Sequence, residues 1–486
     1  MQISVCAEWH YEMEFQELPE KFFDVVILAR EITEEELSFL EKYTKSHCLF
    51  VMDFVEMQKE GPTRWLYVAR RGKKIDQLQL EVLLRDELKD YFSYSYGEKF
   101  NPFNLTIAHN FKGSIKWNGY QSVELEGKYG DDFQQIVFWK NNIPVESEQT
   151  IEFWLEYKKD PTVEISMEIT QFFAGSVSGI QNRWEFSEED LNDIVYIENL
   201  KARGPVFVSL KAKGKGKLAV IALHDRHSRR GKGCFIPGGK RMVTSDREEI
   251  FYYFDPGNLT PPLNVYFSGY KTQEGFEAYY MMRKMEHPFL LISDARLEGG
   301  AFYLGTDEYE KLLVKIIKYY IKALNFKHSD VILSGLSMGT FGALYYGCQI
   351  HPHAIIVGKP LASIGDVAVN ERIRRPGGFP TSLDVLWKHA GGMDSEAVQR
   401  LNDRFWNAFD NTNWKGTKFA AAYMIEDDYD STAYGTLLSH LKDAGVQIYG
   451  KGLHGRHNDD STGIVTWFAN QYKKIIVQDF ENKEGR

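Results

Sequence analysis

The first part of the chain has short apolar runs separated by amphipathic segments. The runs Ile3–Ala7, Val25–Ala29 and Leu49–Phe54 are typical of buried strands. Between the last two runs, Thr33 begins a capping-box sequence that opens a helix with apolar residues on one face. This pattern predicts a small α/β unit of the βαβ type over residues 1–102. The first turn lacks a glycine-rich fingerprint, so no dinucleotide site is predicted.

The second region, residues 103–258, has short aromatic and β-branched runs separated by turn-forming residues. This alternation predicts an antiparallel unit that resembles a β-sandwich. Val206–Leu210 and Leu218–Leu223 are each expected to form a strand. The tryptophans of this region either offer flat surfaces for sugar rings or, as is more common, fill the core. They are Trp117, Trp139, Trp154 and Trp184.

A polar segment with several basic residues, His224 to Lys232, lies within the same region. A solvated turn is the interpretation that we favour, and a basic surface for an acidic partner or substrate is the alternative. A metal site is disfavoured because the neighbouring arginines would oppose a divalent cation.

The third region, residues 259–486, alternates strands with helices of about 10–20 residues, which predicts a mostly parallel sheet covered on both faces. Its central motif is Gly335-Leu336-Ser337-Met338-Gly339, between an apolar strand and an apolar helix. Such a Gly-x-Ser-x-Gly turn holds the serine hydroxyl clear of the sheet, and small flanking residues prevent a backbone collision. We therefore expect an α/β-hydrolase-like region with Ser337 as nucleophile.

An acid for this serine is expected after the strand Lys418–Ile425, which ends in Glu426, Asp427 and Asp428. In an α/β-hydrolase sheet the partners follow in the order serine, acid, histidine. Asp427 is the preferred acid, and Glu426 and Asp428 remain alternatives because a strand boundary is uncertain by two residues or more.

A base is expected after the last short strand, where His454 and His457 occur. His457 precedes a final helix that Asp459 or Asp460 would cap. We predict that His457 accepts the proton of the serine hydroxyl, with His454 as the alternative.

The oxyanion of the transition state needs two prepositioned donors. The backbone N–H of Met338 is the first that we predict. The second is expected from Gly269 or Tyr270, which follow a strand at the position of the oxyanion loop. Farther on, Arg296 either orients the substrate or pairs with Asp294.

Composition narrows the class of protein. The 486 residues are 43% hydrophobic and 26% charged, as in globular proteins. Lys and Arg number 58 against 68 Asp and Glu, and the net charge of −10 argues against nucleic acid as a partner.

The four cysteines lack the spacing of a metal site or a disulfide framework, which favours a reducing compartment. Neither a secretory signal nor an apolar run of membrane-spanning length is expected. We therefore expect a cytoplasmic protein that contacts a membrane only through partners.

Three segments together resemble one known family: Gly335–Gly347, Glu426–Asp430 and Arg456–Asp459. They are similar to the accessory Sec system glycan O-acetyltransferases, the second of the accessory secretion proteins of Gram-positive bacteria. The resemblance covers essentially the whole chain, although the first two regions carry no sharp motif. Ser337 and His457 match the nucleophile and base of the family.

The resemblance implies a cytoplasmic enzyme that O-acetylates N-acetylglucosamine on serine-rich repeat adhesins and supports their export. It further implies a complex with companion accessory secretion proteins beside the accessory Sec motor and translocon. The acid of the family would align with Glu426 or Asp427. No tightly bound cofactor is expected, and the sequence does not specify the acetyl donor.

Two other functions fit the same residues. A carbohydrate esterase would use the same acyl-serine with water as acceptor. An export adaptor with a hydrolase-like fold would need no catalysis.

Overall fold

The structure is a computed structural model that describes residues 23–92, 94–176 and 178–482. The predicted strand Ile3–Ala7 lies outside the described residues.

The first region is a small α/β layer. Its elements are β1 (Val26–Leu28), α1 (Glu34–Tyr43), β2 (Leu49–Met52), α2 (Pro62–Ala69), β3 (Lys73–Ile75) and α3 (Gln77–Val82). The strands pair in parallel in the order β1-β2-β3. At the start of α1 the Thr33 hydroxyl accepts the Glu36 N–H, and the Glu36 carboxylate accepts the Thr33 N–H. This confirms the predicted capping box.

The second region is an antiparallel sheet. Its strands are β4 (Gly97–Phe100), β5 (Leu105–Ile107), β6 (Ser114–Asn118), β7 (Ser122–Trp139), β8 (Ile143–Val145), β9 (Gln149–Lys159), β10 (Val163–Phe172), β11 (Ile180–Ser187), β12 (Val195–Asn199) and β13 (Gly204–His227). The main path is β11-β10-β13-β7-β5, and the remaining strands pair along its sides. Alternate residues such as Val206, Val208 and Leu210 are fully buried in its core.

The long strand β13 corrects the prediction of two separate strands. Val206–Leu210 and Leu218–Leu223 are both parts of it. Its first half pairs with β10, its second half pairs with β9, and β7 follows much of its length. Shifts of register between Leu210 and Lys215 interrupt the pairing with β7. These bulges bend the strand, and hydrogen bonds connect the strands of this region into one ten-stranded network. The sandwich-like arrangement stays a prediction.

The tryptophans of this sheet divide between core and surface. Trp139 and Trp154 are buried, which confirms the core interpretation for these two. Trp184 packs against the core while partly buried. Trp117 differs, because 44% of it is exposed.

The third region is a sheet covered by helices on both faces. Its strands are β14 (Lys240–Val243), β15 (Glu249–Asp255), β16 (Leu263–Phe267), β17 (Phe289–Ser293), β18 (Val331–Leu336), β19 (Ala354–Gly358), β20 (Lys418–Met424) and β21 (Gln447–Leu453). Its helices are α4 (Tyr279–Arg283), α5 (Asp307–Ala323), α6 (Met338–Ile350), α7 (Ile364–Ile373), α8 (Thr381–Ala390), α9 (Ser395–Asp410), α10 (Ala433–Leu441) and α11 (Ser461–Asp479).

The strand order of the third sheet is β14-β15-β17-β16-β18-β19-β20-β21. The pairings from β17 to β21 are parallel, and β14 and β15 join antiparallel at one edge. Apolar cores lie on both faces, which explains why the central strands are apolar throughout. The protein is therefore a mixed α/β protein.

Two of the predicted region boundaries differ from the pairing of the strands. β14 and β15 lie before residue 258 and yet belong to the third sheet. β4 lies before residue 103 and pairs with β13 of the second sheet. An antiparallel strand such as β15, Glu-Ile-Phe-Tyr-Tyr-Phe-Asp, is as rich in aromatic residues as the strands that precede it, so composition does not mark the change of sheet.

Buried ion pairs join the second and third sheets where a solvated turn was predicted. Arg226, at the end of β13, donates to the carboxylates of Glu249 and Glu274. His224 contacts Glu274 through Nδ1 at 2.6 Å and Glu156 through Nε2 at 2.7 Å. The prediction of a solvated turn is therefore wrong for the first residues of this segment. Their polar character reflects charged partners from distant parts of the chain.

Within the described residues, none of the helices combines the length and the hydropathy needed to cross a bilayer.

Candidate active site

Ser337 lies on a sharp turn between β18 and α6. Its φ of 51° and ψ of −121° are unusual for a residue with a side chain. A Cβ on Gly335 would collide with the backbone of Gly339, and a Cβ on Gly339 would collide with the carbonyl of Phe267. Glycine is therefore a steric requirement on both sides of a serine that remains partly exposed.

A hydrogen-bonded chain connects this serine to a histidine and an acid. Ser337 Oγ lies 2.8 Å from His457 Nε2, and His457 Nδ1 lies 2.8 Å from Asp427 Oδ2. The three residues follow the carboxyl ends of β18, β20 and β21, where open α/β sheets bind ligands. The side chains of His457 and Asp427 are 1% and 6% exposed. This geometry suits a neutral imidazole that donates from Nδ1 and accepts from the serine at Nε2.

The three consecutive acidic residues point to three different partners. Asp427 contacts His457 Nδ1, whereas Glu426 contacts His454 Nδ1 and accepts the Gly455 N–H. Asp428 accepts the backbone N–H of His457 and pairs with Arg375. The structure thus brings Asp427, rather than the alternatives Glu426 and Asp428, to the imidazole of His457.

His454, the alternative base, lies away from the serine. Its side chain is 86% exposed and pairs with a half-exposed Glu426. The final helix is α11, and the side chain of Asp460 caps it by accepting the Gly463 N–H.

Asp427 is held as a carboxylate. Burial opposes its ionisation, but the hydrogen bond from His457 and the positive charge of that ring once it is protonated outweigh burial and lower the pKa of Asp427. Its second oxygen accepts the backbone N–H groups of Tyr429 and Asp430. An anchored carboxylate of this kind can orient an imidazole and stabilise the imidazolium that forms during proton transfer.

The predicted oxyanion donors differ in what they contact. Met338 is the first residue of α6, so its N–H has no partner within the helix. The Gly269 N–H donates to Glu277 Oε2 at 2.7 Å. Among the described residues, the structure shows no hydrogen bond from the Tyr270 N–H. Of the two predicted alternatives, the Gly269 N–H is thus already engaged, and the Tyr270 N–H stays a prediction.

The family of the chain follows from sequence comparison. A family profile described as "Accessory Sec system GspB-transporter" matches residues 4–482. The chain belongs to this family. It is thus an accessory Sec system component.

Relatives of this accessory Sec component are similar over most of their length. The accessory Sec system protein of this family from Streptococcus gordonii is 43% identical over 413 residues, 85% of this chain and 81% of the relative. The protein of the same description from Staphylococcus aureus (strain NCTC 8325 / PS 47) is 42% identical over 395 residues, 81% of this chain and 75% of the relative.

A solved structure of high similarity is that of the Glycosylation Associate Protein (Gap123) complex from Streptococcus agalactiae. It has a TM-score of 0.85 and 37% identity, and it covers 96% of this chain and 90% of that chain.

Aromatic residues that were not predicted from the sequence pack beside the candidate active site of this accessory Sec component. The Tyr429 ring lies edge-on to His457, with centroids 4.4 Å apart, and Phe379 contacts both Tyr429 and Tyr270. Arg375 lies over the Tyr429 ring. Tyr429 follows the acidic run by one residue and could have been inferred from it. Phe379 lies in a distant loop without any local signal.

Arg296 belongs to a buried ion pair rather than to an open pocket wall. It donates to both oxygens of Asp294 and to Glu248. Asp294 in turn accepts the backbone N–H groups of Ala301 and Tyr303. Of the two predicted roles, the structure shows the pairing with Asp294, which shapes the turn beside Tyr270.

Glu156, His224 and Glu249 offer ligand atoms within 4.8 Å of one another. Both ring nitrogens of His224 are nevertheless engaged by carboxylates, and Arg226 bonds Glu249 through two nitrogens. Burial disfavours the charged ring, but Glu274 and Glu156 outweigh burial and raise the pKa of His224. A positively charged imidazole beside a guanidinium does not suit a divalent cation, so this cluster fits an ion-pair network.

Proposed function

We propose that the protein is a serine-dependent O-acetyltransferase that acts on N-acetylglucosamine of serine-rich repeat adhesins within the accessory Sec system. The observation that carries this proposal is the hydrogen-bonded chain from Ser337 through His457 to Asp427. A serine hydroxyl near neutral pH is a weak nucleophile without such a base.

In the first step Ser337 Oγ attacks the carbonyl carbon of the acetyl donor while its proton passes to His457 Nε2. The Met338 and Tyr270 N–H groups donate to the oxyanion that forms, and Asp427 stabilises the imidazolium. The C–O or C–S bond to the leaving group then breaks, and the leaving group takes the proton from His457. The product is an acetyl ester of Ser337.

In the second step a sugar hydroxyl gives its proton to His457 Nε2 and attacks the acetyl ester. Collapse of the tetrahedral intermediate breaks the bond to Ser337 Oγ, which regains its proton from His457. The sugar leaves as the acetate ester. With water as acceptor the same residues would release acetate, which is the esterase alternative.

Companion accessory secretion proteins are the partners that we propose. The Streptococcus agalactiae structure, similar over 96% of this chain, is a complex. Action at the cytoplasmic side of the translocon, with membrane contact only through partners, is part of this proposal.

The test compares wild type with Ser337→Ala. A fluorophosphonate probe should label wild type and leave Ser337→Ala unlabelled. With p-nitrophenyl acetate as donor and an N-acetylglucosamine-bearing peptide as acceptor, mass spectrometry should detect acetyl on the sugar for wild type alone. Free acetate without acetylated sugar would support the esterase, and unlabelled wild type would contradict serine chemistry altogether.

An export adaptor is a second function that family membership favours. Ser337→Ala in cells separates the two roles. Export of unacetylated adhesin would show that the adaptor role is independent of catalysis, whereas equal loss of export and acetylation would show that the two are coupled.

A further inference from the structure

An aromatic cluster, which we call the aromatic platform, lies beside the second sheet and consists of the exposed Phe103 and Trp117 and the partly buried Tyr120. Phe103 is 50% exposed and Trp117 is 44% exposed. Their rings are nearly parallel, with 8° between planes and 6.0 Å between centroids. The Tyr120 ring stands edge-on to Phe103 at 4.9 Å. Clustered exposed rings of this size mark a binding surface more often than single exposed apolar residues do.

The platform is fastened to the third sheet rather than left on a free hairpin. The Tyr120 N–H donates to Asp384 Oδ1 at 3.1 Å, and the Gln121 side chain donates to the Asp384 carbonyl at 3.2 Å. The amide of Asn101, two residues before Phe103, donates to Glu298. Contacts from both sides therefore hold the rings in a fixed position relative to the catalytic region.

The segment that fastens the platform also borders the candidate active site. Glu298 is followed by Gly299 and Gly300. A Cβ on Gly299 would lie 2.6 Å from the Tyr270 ring, and a Cβ on Gly300 would collide with the Met338 side chain. The same turn thus contacts the residues of both proposed oxyanion donors. Chain continuity and packing therefore connect the platform, through Glu298 and the two glycines after it, to the residues of both proposed oxyanion donors.

Charged groups support this proximity. Burial raises the pKa of Tyr270 to about 12, and the charges of Glu298 and Tyr120 add to the effect. Burial also raises the pKa of Tyr120, with contributions from Glu298, Asp384 and Glu371. Asp384 and Glu371 are buried and accept backbone N–H groups. Glu298 is partly exposed, so it is the carboxylate beside these rings that can accept a hydroxyl group of a ligand.

We infer that the aromatic platform is an acceptor subsite that binds a sugar residue of the glycan chain while another sugar hydroxyl reaches Ser337. A pyranose has an apolar face of C–H groups that stacks on aromatic rings and an equatorial rim of hydroxyls that bonds to carboxylates. This inference rests on the proposed function, because it assigns the acceptor of that reaction to a surface.

The binding test uses protein that carries Ser337→Ala, so that no transfer occurs, and a synthetic serine-rich peptide carrying N-acetylglucosamine as probe. Trp117→Ala should weaken calorimetrically measured binding by about tenfold or more, because a stacked ring is lost. Phe133→Ala is the matched control. Phe133 is 40% exposed and lies on β7 of the same sheet, ten residues beyond Val123, the partner of Trp117.

The kinetic test uses Trp117→Ala with Ser337 intact. The KM for the glycopeptide should rise about tenfold, while fluorophosphonate labelling and release of p-nitrophenol stay at wild-type rates. Acetylation that fails for wild type while the glycopeptide still binds through Trp117 would contradict the proposed function and support the subsite.

Unchanged glycopeptide binding in Trp117→Ala would overturn the subsite, and so would the absence of binding to the Ser337→Ala parent. Loss of co-purifying accessory secretion proteins in Trp117→Ala, with glycopeptide binding unchanged, would also overturn it and identify the platform as a protein interface. Circular dichroism of both variants controls for folding.

Discussion

Two buried histidines of this protein have similar surroundings but differ in the proton-transfer chemistry that they can perform. His457 has a carboxylate on Nδ1 and the Ser337 hydroxyl on Nε2. His224 has a carboxylate on each nitrogen, from Glu274 and Glu156. Both side chains are almost completely buried.

The second partner of the ring decides what each histidine can do. Two carboxylates stabilise the imidazolium of His224, whose pKa is raised although burial alone would lower it. A ring that stays protonated cannot take a proton from a nucleophile. One carboxylate orients the His457 ring and leaves Nε2 available to the hydroxyl. A buried histidine–carboxylate contact is therefore not by itself a catalytic signature, and the group on the other nitrogen has to be examined.

The largest effect is expected on turnover, from a variant that removes the carboxylate partner of His457. Asp427→Asn should lower the turnover of p-nitrophenyl acetate by about 10⁴-fold, because the amide no longer holds the reactive tautomer of His457. Glu426→Gln is the control, because Glu426 contacts His454 instead, and its turnover should stay within a few-fold of wild type. Equal losses in both variants would contradict the assignment of Asp427.

The structural role of His224 is tested by His224→Gln. Removal of the imidazolium leaves Glu156 and Glu274 buried without their shared cation, which should lower the free energy of unfolding by about 3–5 kcal/mol. His457→Gln should change thermal stability far less and abolish turnover. Denaturant unfolding and steady-state rates of both variants check that His224→Gln mainly lowers stability and that His457→Gln mainly lowers turnover. A stable His224→Gln protein would show that the network contributes little.

A further carboxylate, the partly buried Glu277, extends the comparison because its partner is a backbone amide. Burial raises the pKa of Glu277, although the Gly269 N–H opposes this. Glu277→Ala should release the loop that presents the Tyr270 N–H and lower kcat by about 100-fold, the usual effect of displacing a catalytic group by about 1 Å.

Glu277→Gln keeps an oxygen acceptor for Gly269 and should recover most of that kcat, with KM for p-nitrophenyl acetate unchanged. If Glu277→Gln were as slow as Glu277→Ala, the charge of Glu277 and not the position of the loop would be responsible.

The smallest effect is a pH dependence of stability. The folded-state pKa of His224 lies above its ordinary value of 6.5. Its contribution is therefore complete below pH 6.5 and is lost as the pH rises through the folded-state pKa, with a slope of at most about 1.4 kcal/mol per pH unit. Unfolding of wild type and His224→Gln between pH 6 and 10 should converge at high pH. A constant difference would contradict the raised pKa.

The nucleophile turn could be predicted because its requirements are local. A strand, a serine between glycines and a helix occupy one short segment, and the collisions at Gly335 and Gly339 arise within it or against the neighbouring strand. The capping box of Thr33 was predictable for the same reason. Such features depend on spacing that can be measured along the chain.

The choice among Glu426, Asp427 and Asp428 depended on the direction of each side chain after β20. A shift of one residue changes the partner from His454 to His457 or Arg375. The position of a strand end is known from sequence to about two residues at best, so the run of acids could be located without resolving its members.

The buried network was missed because its members are far apart in sequence. His224 and Glu274 are separated by 50 positions, and Glu249 reaches Arg226 only because β15 joins the third sheet. Taken alone, a segment with two histidines and three arginines has the composition of a solvated turn. The same lack of local evidence placed the boundary at residue 258.

The buried charges at the end of β13 mean that a fragment of the catalytic region alone would lose part of its structure. A fragment that starts at residue 259 would lack β14 and β15, and it would retain Glu274 without Arg226 or His224. Glu274 lies between Tyr270 and Glu277, so the unneutralised charge would fall inside the loop that presents the oxyanion donors. We therefore expect that the hydrolase-like fragment alone would at most fold its sheet, and that its catalytic loop would lose its ordered conformation. The second sheet should be retained in any fragment made for crystallography or screening.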